Sequence, residues 1–442
     1  MGSRRRHRPV RTAVLVALLS AVVPSAGQTQ TAAFINARII PVDGPPIERG
    51  TLVVQGGKIV AVGAATATTV PSGATVADLA GHTVMPGLVD THSHIGAVSG
   101  GDSSAPIQPD VRVLDAIDVR ASSVSRARAG GITTVNVMPG SGHLLSGQTI
   151  YLKLRGGTTI EELGFPLAGG RFLGGLKMAN GTNSLRPAAP GPFPGTRAKS
   201  AALVREQFVK ATEYRDKVRA AAGDAAKLPT RDLGLEAIVE VLEGSRIVHF
   251  HTHRHDDILT VLRLAKEFGF TPVLHHVSEG WKVANEIARA GASCSLTVVD
   301  SPGGKLEAMD VSLGTAAVLA KANVPVAFNT DDYITDSRLL LRSAALAVRA
   351  GLPRDKAIEG VTLAGARMLG LAMRVGSLSV GKDADFVVLS GDPLSVYTRV
   401  EQTWVEGRKV FDLANPADHL VAVGGYGATR DEVLHSDDEE DR

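Results

Sequence analysis

Met85-Pro86-Gly87-Leu88-Val89-Asp90-Thr91-His92-Ser93-His94 is a short apolar run that follows a Pro-Gly break and ends in two histidines one residue apart. Alternate residues of a strand share a face, so His92 and His94 point the same way, about 7 Å apart along the chain. Two imidazoles so placed can grip one divalent metal, and imidazole suits zinc, iron or nickel. A bare pair of surface histidines would mean little, but this pair closes a buried-looking strand.

Matching segments follow further along. Arg246-Ile247-Val248-His249-Phe250-His251-Thr252-His253 is a second apolar strand with alternating histidines. A helical pattern runs from Asp256 to Phe268, then the strand Thr271-Pro272-Val273-Leu274-His275-His276. Val324-Pro325-Val326-Ala327-Phe328-Asn329-Thr330-Asp331-Asp332 ends in paired aspartates. Strands alternating with helices, and carrying polar metal-binding residues at their ends, predict an α/β fold with a (β/α)8 TIM-like barrel. Such barrels gather their active sites at the C-terminal ends of the parallel strands.

The chain has 442 residues, enough for one large domain and a smaller one. A formal net charge of +2 gives no reason to expect a nucleic-acid partner. With one cysteine, Cys294, an intrachain disulfide is excluded, and its strand-like surroundings read as a small buried hydrophobe. Arg4-Arg5-Arg6-His7-Arg8, the apolar run Thr12 to Val23 and the small residues Pro24-Ser25-Ala26-Gly27 form a secretory signal pattern over residues 1–27. Export to the periplasm or medium is expected, with membrane contact only transient. The acidic tail, 426–442, reads as a solvated extension.

Residues 31–84 alternate apolar and polar, with two strands joined by the Gly56-Gly57 turn. The same character returns over 376–425, so both chain ends are expected to build one small composite β-sandwich around a barrel spanning 85–375. Gly131 to Met138 reads as the second barrel strand. The Pro/Gly-rich stretch Ser184 to Arg197 reads as a long loop over the barrel mouth. Ala201 to Ala222 carries Val204, Phe208 and Ala211 on one helical face.

With these residues in hand, the chain resembles the amidohydrolase superfamily, in particular its imidazolonepropionase-like branch. The marks are Met85 to His94, His251-Thr252-His253-Arg254, His276, Thr330-Asp331 and Gly376-Ser377-Leu378-Ser379-Val380-Gly381-Lys382-Asp383-Ala384-Asp385. The resemblance implies hydrolysis of C–N bonds with one or two divalent metal ions, zinc foremost. It implies His92 and His94 as first-strand ligands, His251 as the fifth-strand ligand and His276 as the sixth. It also implies Asp331 as the eighth-strand aspartate that binds metal and shuttles the proton. His253 shares a face with His251, so alternation leaves both open, with His251 ahead; His249 and His275 read as supporting or packing residues. Two-metal members bridge their ions with a carbamylated lysine, for which Lys177 is the first candidate and Lys153 the second.

This set permits metal-activated water to attack a carbonyl, with Asp331 carrying the proton to the leaving nitrogen. Arg197 and Arg254, with Arg186 nearby, are candidates to hold the carboxylate of a small substrate such as a dipeptide or N-acyl amino acid. Two rival readings stand beside amide, peptide or cyclic-amide hydrolysis. One is a heterocycle deaminase of the same superfamily, and the other a non-catalytic exported metal-binding barrel.

Overall fold

The computed structural model describes residues 31–425, apart from 97, 99–100, 103, 188–190, 298–304 and 333. The segment expected to be a signal peptide and the acidic tail therefore lie outside the described residues, as does part of the Ser184–Arg197 loop.

Five strands come from the N-terminal segment: β1 (Thr31–Ile39), β2 (Ile47–Gln55), β3 (Lys58–Ala64), β4 (Thr75–Asp78) and β5 (Thr83–Pro86). The middle of the chain supplies β6 (Leu88–Ser93), β7 (Ile132–Val137), β8 (Leu145–Gln148), β9 (Ile150–Lys153) and β10 (Gly175–Ala179). It continues with β11 (Ile247–Thr252), β12 (Pro272–His276), β13 (Ser293–Leu296) and β14 (Val326–Phe328). Three more strands, β15 (Phe386–Leu389), β16 (Val400–Val405) and β17 (Arg408–Asp412), end the series.

Both chain ends join one eight-stranded mixed sheet, in the order β17-β16-β15-β5-β1-β2-β3 with β4 beside β1. The join is β5 against β15, where Met85 pairs with Val387. Its apolar face is sealed by aromatic residues from both ends: Phe34 lies 4.8 Å from Phe386, and Phe386 stacks on Trp404 at 5.4 Å. Burying a phenylalanine stabilises by about 1.5–3 kcal/mol, so these rings hold distant segments together.

The remaining strands form a six-stranded sheet, β14-β13-β12-β11-β10-β8, and a three-stranded sheet, β6-β7-β9. Within them β10 through β14 run parallel, and β6 runs parallel to β7. Between these runs the segment Leu145 to Lys153 pairs antiparallel to both, first with β10 and then with β7. A uniform strand–helix rhythm does not foresee this. The physical reason is the connection from Val137 to Leu145, too short for the helical crossover that a parallel strand needs. The two sheets also meet where the Asp331 amide donates to the His92 carbonyl oxygen, at 2.9 Å.

Helices pack outside the strands. The helix Arg197–Ala220 buries Val204, Phe208 and Ala211, the face its periodicity predicts, with Phe208 stacked on Phe270 at 5.3 Å. Thr196 caps its start by accepting from the Lys199 amide. Cys294 is buried on β13 and free. Among the described residues no helix is long and apolar enough to cross a membrane.

Candidate active site

Gly87 lets the β6 motif sit where it does: a Cβ there would fall 2.2 Å from the Thr133 methyl carbon. Beyond it, Asp90 ties two strand ends together. Its Oδ1 accepts from the His92 and Thr330 amides, at 3.2 and 3.1 Å, and its Oδ2 accepts from the Thr330 hydroxyl. Burial pushes this carboxyl up to about 7, against the hydrogen bonds from Thr330 and His92. The residue after Thr330, Asp331, has φ 48°, a left-handed backbone that a non-glycine residue adopts only when its surroundings enforce it.

That turn delivers the Asp331 carboxylate to the histidines. Its Oδ1 lies 3.2 Å from His92 Nε2 and 3.1 Å from His94 Nε2, and the two nitrogens are 3.3 Å apart. His94 Nδ1 faces the Met138 carbonyl oxygen at 2.8 Å. A carbonyl only accepts, so Nδ1 carries the proton and Nε2 turns a lone pair inward. Burial pushes the His92 imidazole far down, helped by Lys177, so that ring is neutral too. Two lone pairs and a carboxylate converging within hydrogen-bond distance fit a divalent cation, which satisfies all three at once.

Lys177, fully buried on β10, brings its Nζ to 3.0 Å from both His92 Nε2 and Met138 Sδ. Lys153 is elsewhere. Its ammonium pairs with Asp383, with Asp385 at 3.1 Å and with Glu406 at 3.4 Å, in a buried ion cluster against the chain-end sheet. Of the two candidate lysines, only Lys177 reaches the histidines.

His275 and His276 are consecutive in β12, so strict alternation would send them to opposite faces. The left-handed φ of His276, 69°, breaks the alternation. Both rings come to His92, with centroids 4.9 and 5.0 Å away. His276 Nδ1 lies 3.1 Å from the Thr297 hydroxyl oxygen, whose own proton goes to Asn329 Oδ1. The imidazole must therefore donate from Nδ1, and its Nε2, without a hydrogen-bond partner among the described residues, presents a lone pair. Burial pushes this ring down to about 3 although Asp331 pulls it upward. His275 is engaged below, where Tyr151, His249 and His275 form a buried chain of contacts at 2.9 and 3.0 Å. His251 and His253 both reach the site, with ring centroids 4.7 Å apart.

The arginines are already paired. Arg197 Nε donates to Asp257 at 2.8 Å, and its terminal nitrogen lies 3.6 Å from Glu307. Arg254 forms a two-pronged pair with its neighbour Asp256. Arg186 lies over the Phe193 ring and donates to the Asn183 and Leu185 carbonyls. Clamping a substrate carboxylate would require Arg197 or Arg254 to leave a partner within the chain.

Four contributors escape a sequence reading: the Met138 carbonyl, Thr297, Asn329 and Glu307. None belongs to a spacing pattern, and Glu307 lies in the short 3-10 helix Leu306–Ala308, too brief to show a periodicity.

The description of the amidohydrolase family matches residues 83–411. The chain belongs to the amidohydrolase family. It is 27% identical over 397 residues to the amidohydrolase tasK of Hapsidospora irregularis, covering 83% of this chain and 39% of that one. The chain thus spans about two-fifths of that relative's length. It is 26% identical to the imidazolonepropionase of Erwinia tasmaniensis, covering 77% of this chain and 86% of the other. The solved structure of an amidohydrolase from Thermotoga maritima MSB8 superposes with a TM-score of 0.79 at 32% identity, over 86% of this chain and all of that one. Metal-dependent hydrolysis of carbon–nitrogen bonds is the activity that goes with this membership.

Proposed function

We propose that this amidohydrolase cleaves an amide, peptide or cyclic-amide C–N bond in a small substrate, at a metal centre built on His92, His94 and Asp331. The observation that carries the reading is the convergence of both Nε2 atoms on one Asp331 oxygen, with the His94 tautomer fixed by the Met138 carbonyl. The two sheets of the middle segment are read as the wall of a distorted (β/α)8 barrel spanning 85–375. The chain-end sheet is read as the composite β-sandwich, 31–84 and 376–425.

When bound, a divalent ion, with zinc our first choice, polarises a carbonyl and acidifies water. The chain's own residues do the rest. Asp331 accepts the proton of the attacking water and passes it to the departing nitrogen. His251 and His276 would hold a metal on the second side of the site, and Lys177, were it carbamylated, would supply an anionic ligand there. The Thr297–Asn329 and Met138 contacts fix the imidazole tautomers before substrate arrives.

A screen of dipeptides, N-acyl amino acids and cyclic amides tests this, run beside metal analysis of the purified protein. Release of free amino acids or ring-opened acids supports the reading. Ammonia release from a heterocycle as the sole activity replaces it with deamination, and a metal-loaded protein inert to every class replaces it with the non-catalytic reading. We also propose export, on the basic and apolar segments before Ala26. Mass spectrometry of native material should find the mature chain starting shortly after that residue, and an intact Met1 argues against export.

A further inference from the structure

Beside the His92–His94–Asp331 group lies a second set of converging donors, from His251, His253 and Glu307. One ligand atom of each lies within 4.8 Å of the others, and all three side chains are buried. Among the described residues, neither nitrogen of His251 has a hydrogen-bond partner, nor does His253 Nε2, nor Glu307 Oε1. Four buried polar atoms left unpaired in one place are costly unless something binds them.

The carboxylate is held in position from outside the group. Glu307 Oε2 accepts from the Thr182 amide at 2.7 Å, with Arg197 3.6 Å away. Gly181, at φ +77°, makes room for it, since a Cβ there would sit 2.5 Å from Oε2. Lys305 reinforces the same seam by donating to Asn183 Oδ1 at 2.7 Å. Lys305 and Glu307 are thereby clamped to Thr182 and Asn183, with one carboxylate oxygen of Glu307 engaged and the other left beside His251 and His253. On the inner side, the His276 ring packs on both, with centroids 4.5 Å from His251 and 5.0 Å from His253. The second group therefore adjoins the first across His276.

We propose that Glu307 is a metal ligand, completing with His251 and His253 a second divalent-cation site beside the first. Two imidazoles and one carboxylate suit zinc, and a site with three protein ligands keeps a position for water or substrate. The inference rests on the hydrolase reading, in which His251 faces metal, and adds to it the carboxylate and the third histidine.

The test is titration of chelator-treated full-length protein with Co²⁺ or Zn²⁺, counting bound equivalents by elemental analysis and following the visible Co²⁺ absorption. Wild type should take up two equivalents. Glu307→Gln preserves size and the acceptor for Thr182, and should bind one equivalent tightly with the other weakened at least tenfold. His253→Gln should behave alike, which covers the case in which one variant fails to fold. Two equivalents of unchanged affinity in Glu307→Gln overturn the inference and leave the hydrolase reading intact. So does one equivalent in wild type that His92→Ala removes and Glu307→Gln retains. Unchanged metal binding with a raised KM only for substrates bearing a free ammonium also overturns it, assigning Glu307 to substrate. A wild-type protein that takes up no metal defeats the hydrolase reading itself.

Discussion

The Nζ of Lys177 stands 3.0 Å from the Nε2 of His92, with both side chains shielded from solvent. An ammonium against an imidazole lone pair is a workable contact, but a carbamylated lysine there would turn the same position into an anionic ligand. Lys177→Ala should lose one metal equivalent, and added bicarbonate or short carboxylic acids should restore part of the activity. A variant that keeps two equivalents contradicts the bridging role.

Asp331 is the carboxylate that both histidines face. Asp331→Asn keeps its size but removes proton transfer and the anionic ligand, so kcat should fall by about 10²–10⁴-fold, the range for loss of a positioned acid–base group. Steady-state kinetics on any substrate from the screen will measure this. A change of less than threefold contradicts the assignment.

Lys153 serves stability rather than chemistry. Replacing it by Met leaves Asp383 and Asp385 buried without their central cation and should destabilise the fold by about 3–5 kcal/mol. Metal content should stay unchanged. Burial pushes the Asp383 carboxyl up, but Lys153, together with Lys58 and Arg374, outweighs it and holds the group at about 2. A carboxyl lowered on folding stabilises above its ordinary pKa, about 4, and that contribution fades as pH falls towards 2. Denaturant unfolding should therefore show the gap between wild type and Lys153→Met narrowing over that window. A gap that widens on acidification contradicts the pairing.

Arg197 is expected to act as a structural partner. Arg197→Ala leaves buried Asp257 unpaired and should cost about 1–3 kcal/mol. It should change KM for acidic-ended substrates no more than for their amides. A selective rise in KM for the acids would show instead that the guanidinium leaves Asp257 to bind substrate.

Much of the site could be read in the sequence because strand alternation is a short-range rule. His92 and His94 share a face by spacing alone, and their Nε2 atoms do meet. The same rule fails at His276 and Asp331, where left-handed backbones redirect the side chains; that strain is enforced by tertiary contacts such as Asp90 to Thr330. It also leaves His251 and His253 undivided, and both reach the site. The antiparallel course of Leu145 to Lys153 depends on a connection length that apolar patterning does not register. Glu307 was hidden for a different reason: what marks it is a buried oxygen without a partner, a property of the folded chain alone. Likewise Arg197 looks like a free cation in sequence, and only the fold brings Asp257 and Glu307 to it.

The central claim is that His92, His94 and Asp331 hold a catalytic metal. Metal per chain, measured with turnover in wild type and His92→Ala, tests it most directly. The account predicts at least one divalent equivalent in wild type, with loss of both that metal and hydrolysis in the variant. A variant with undiminished metal content and full activity would contradict it.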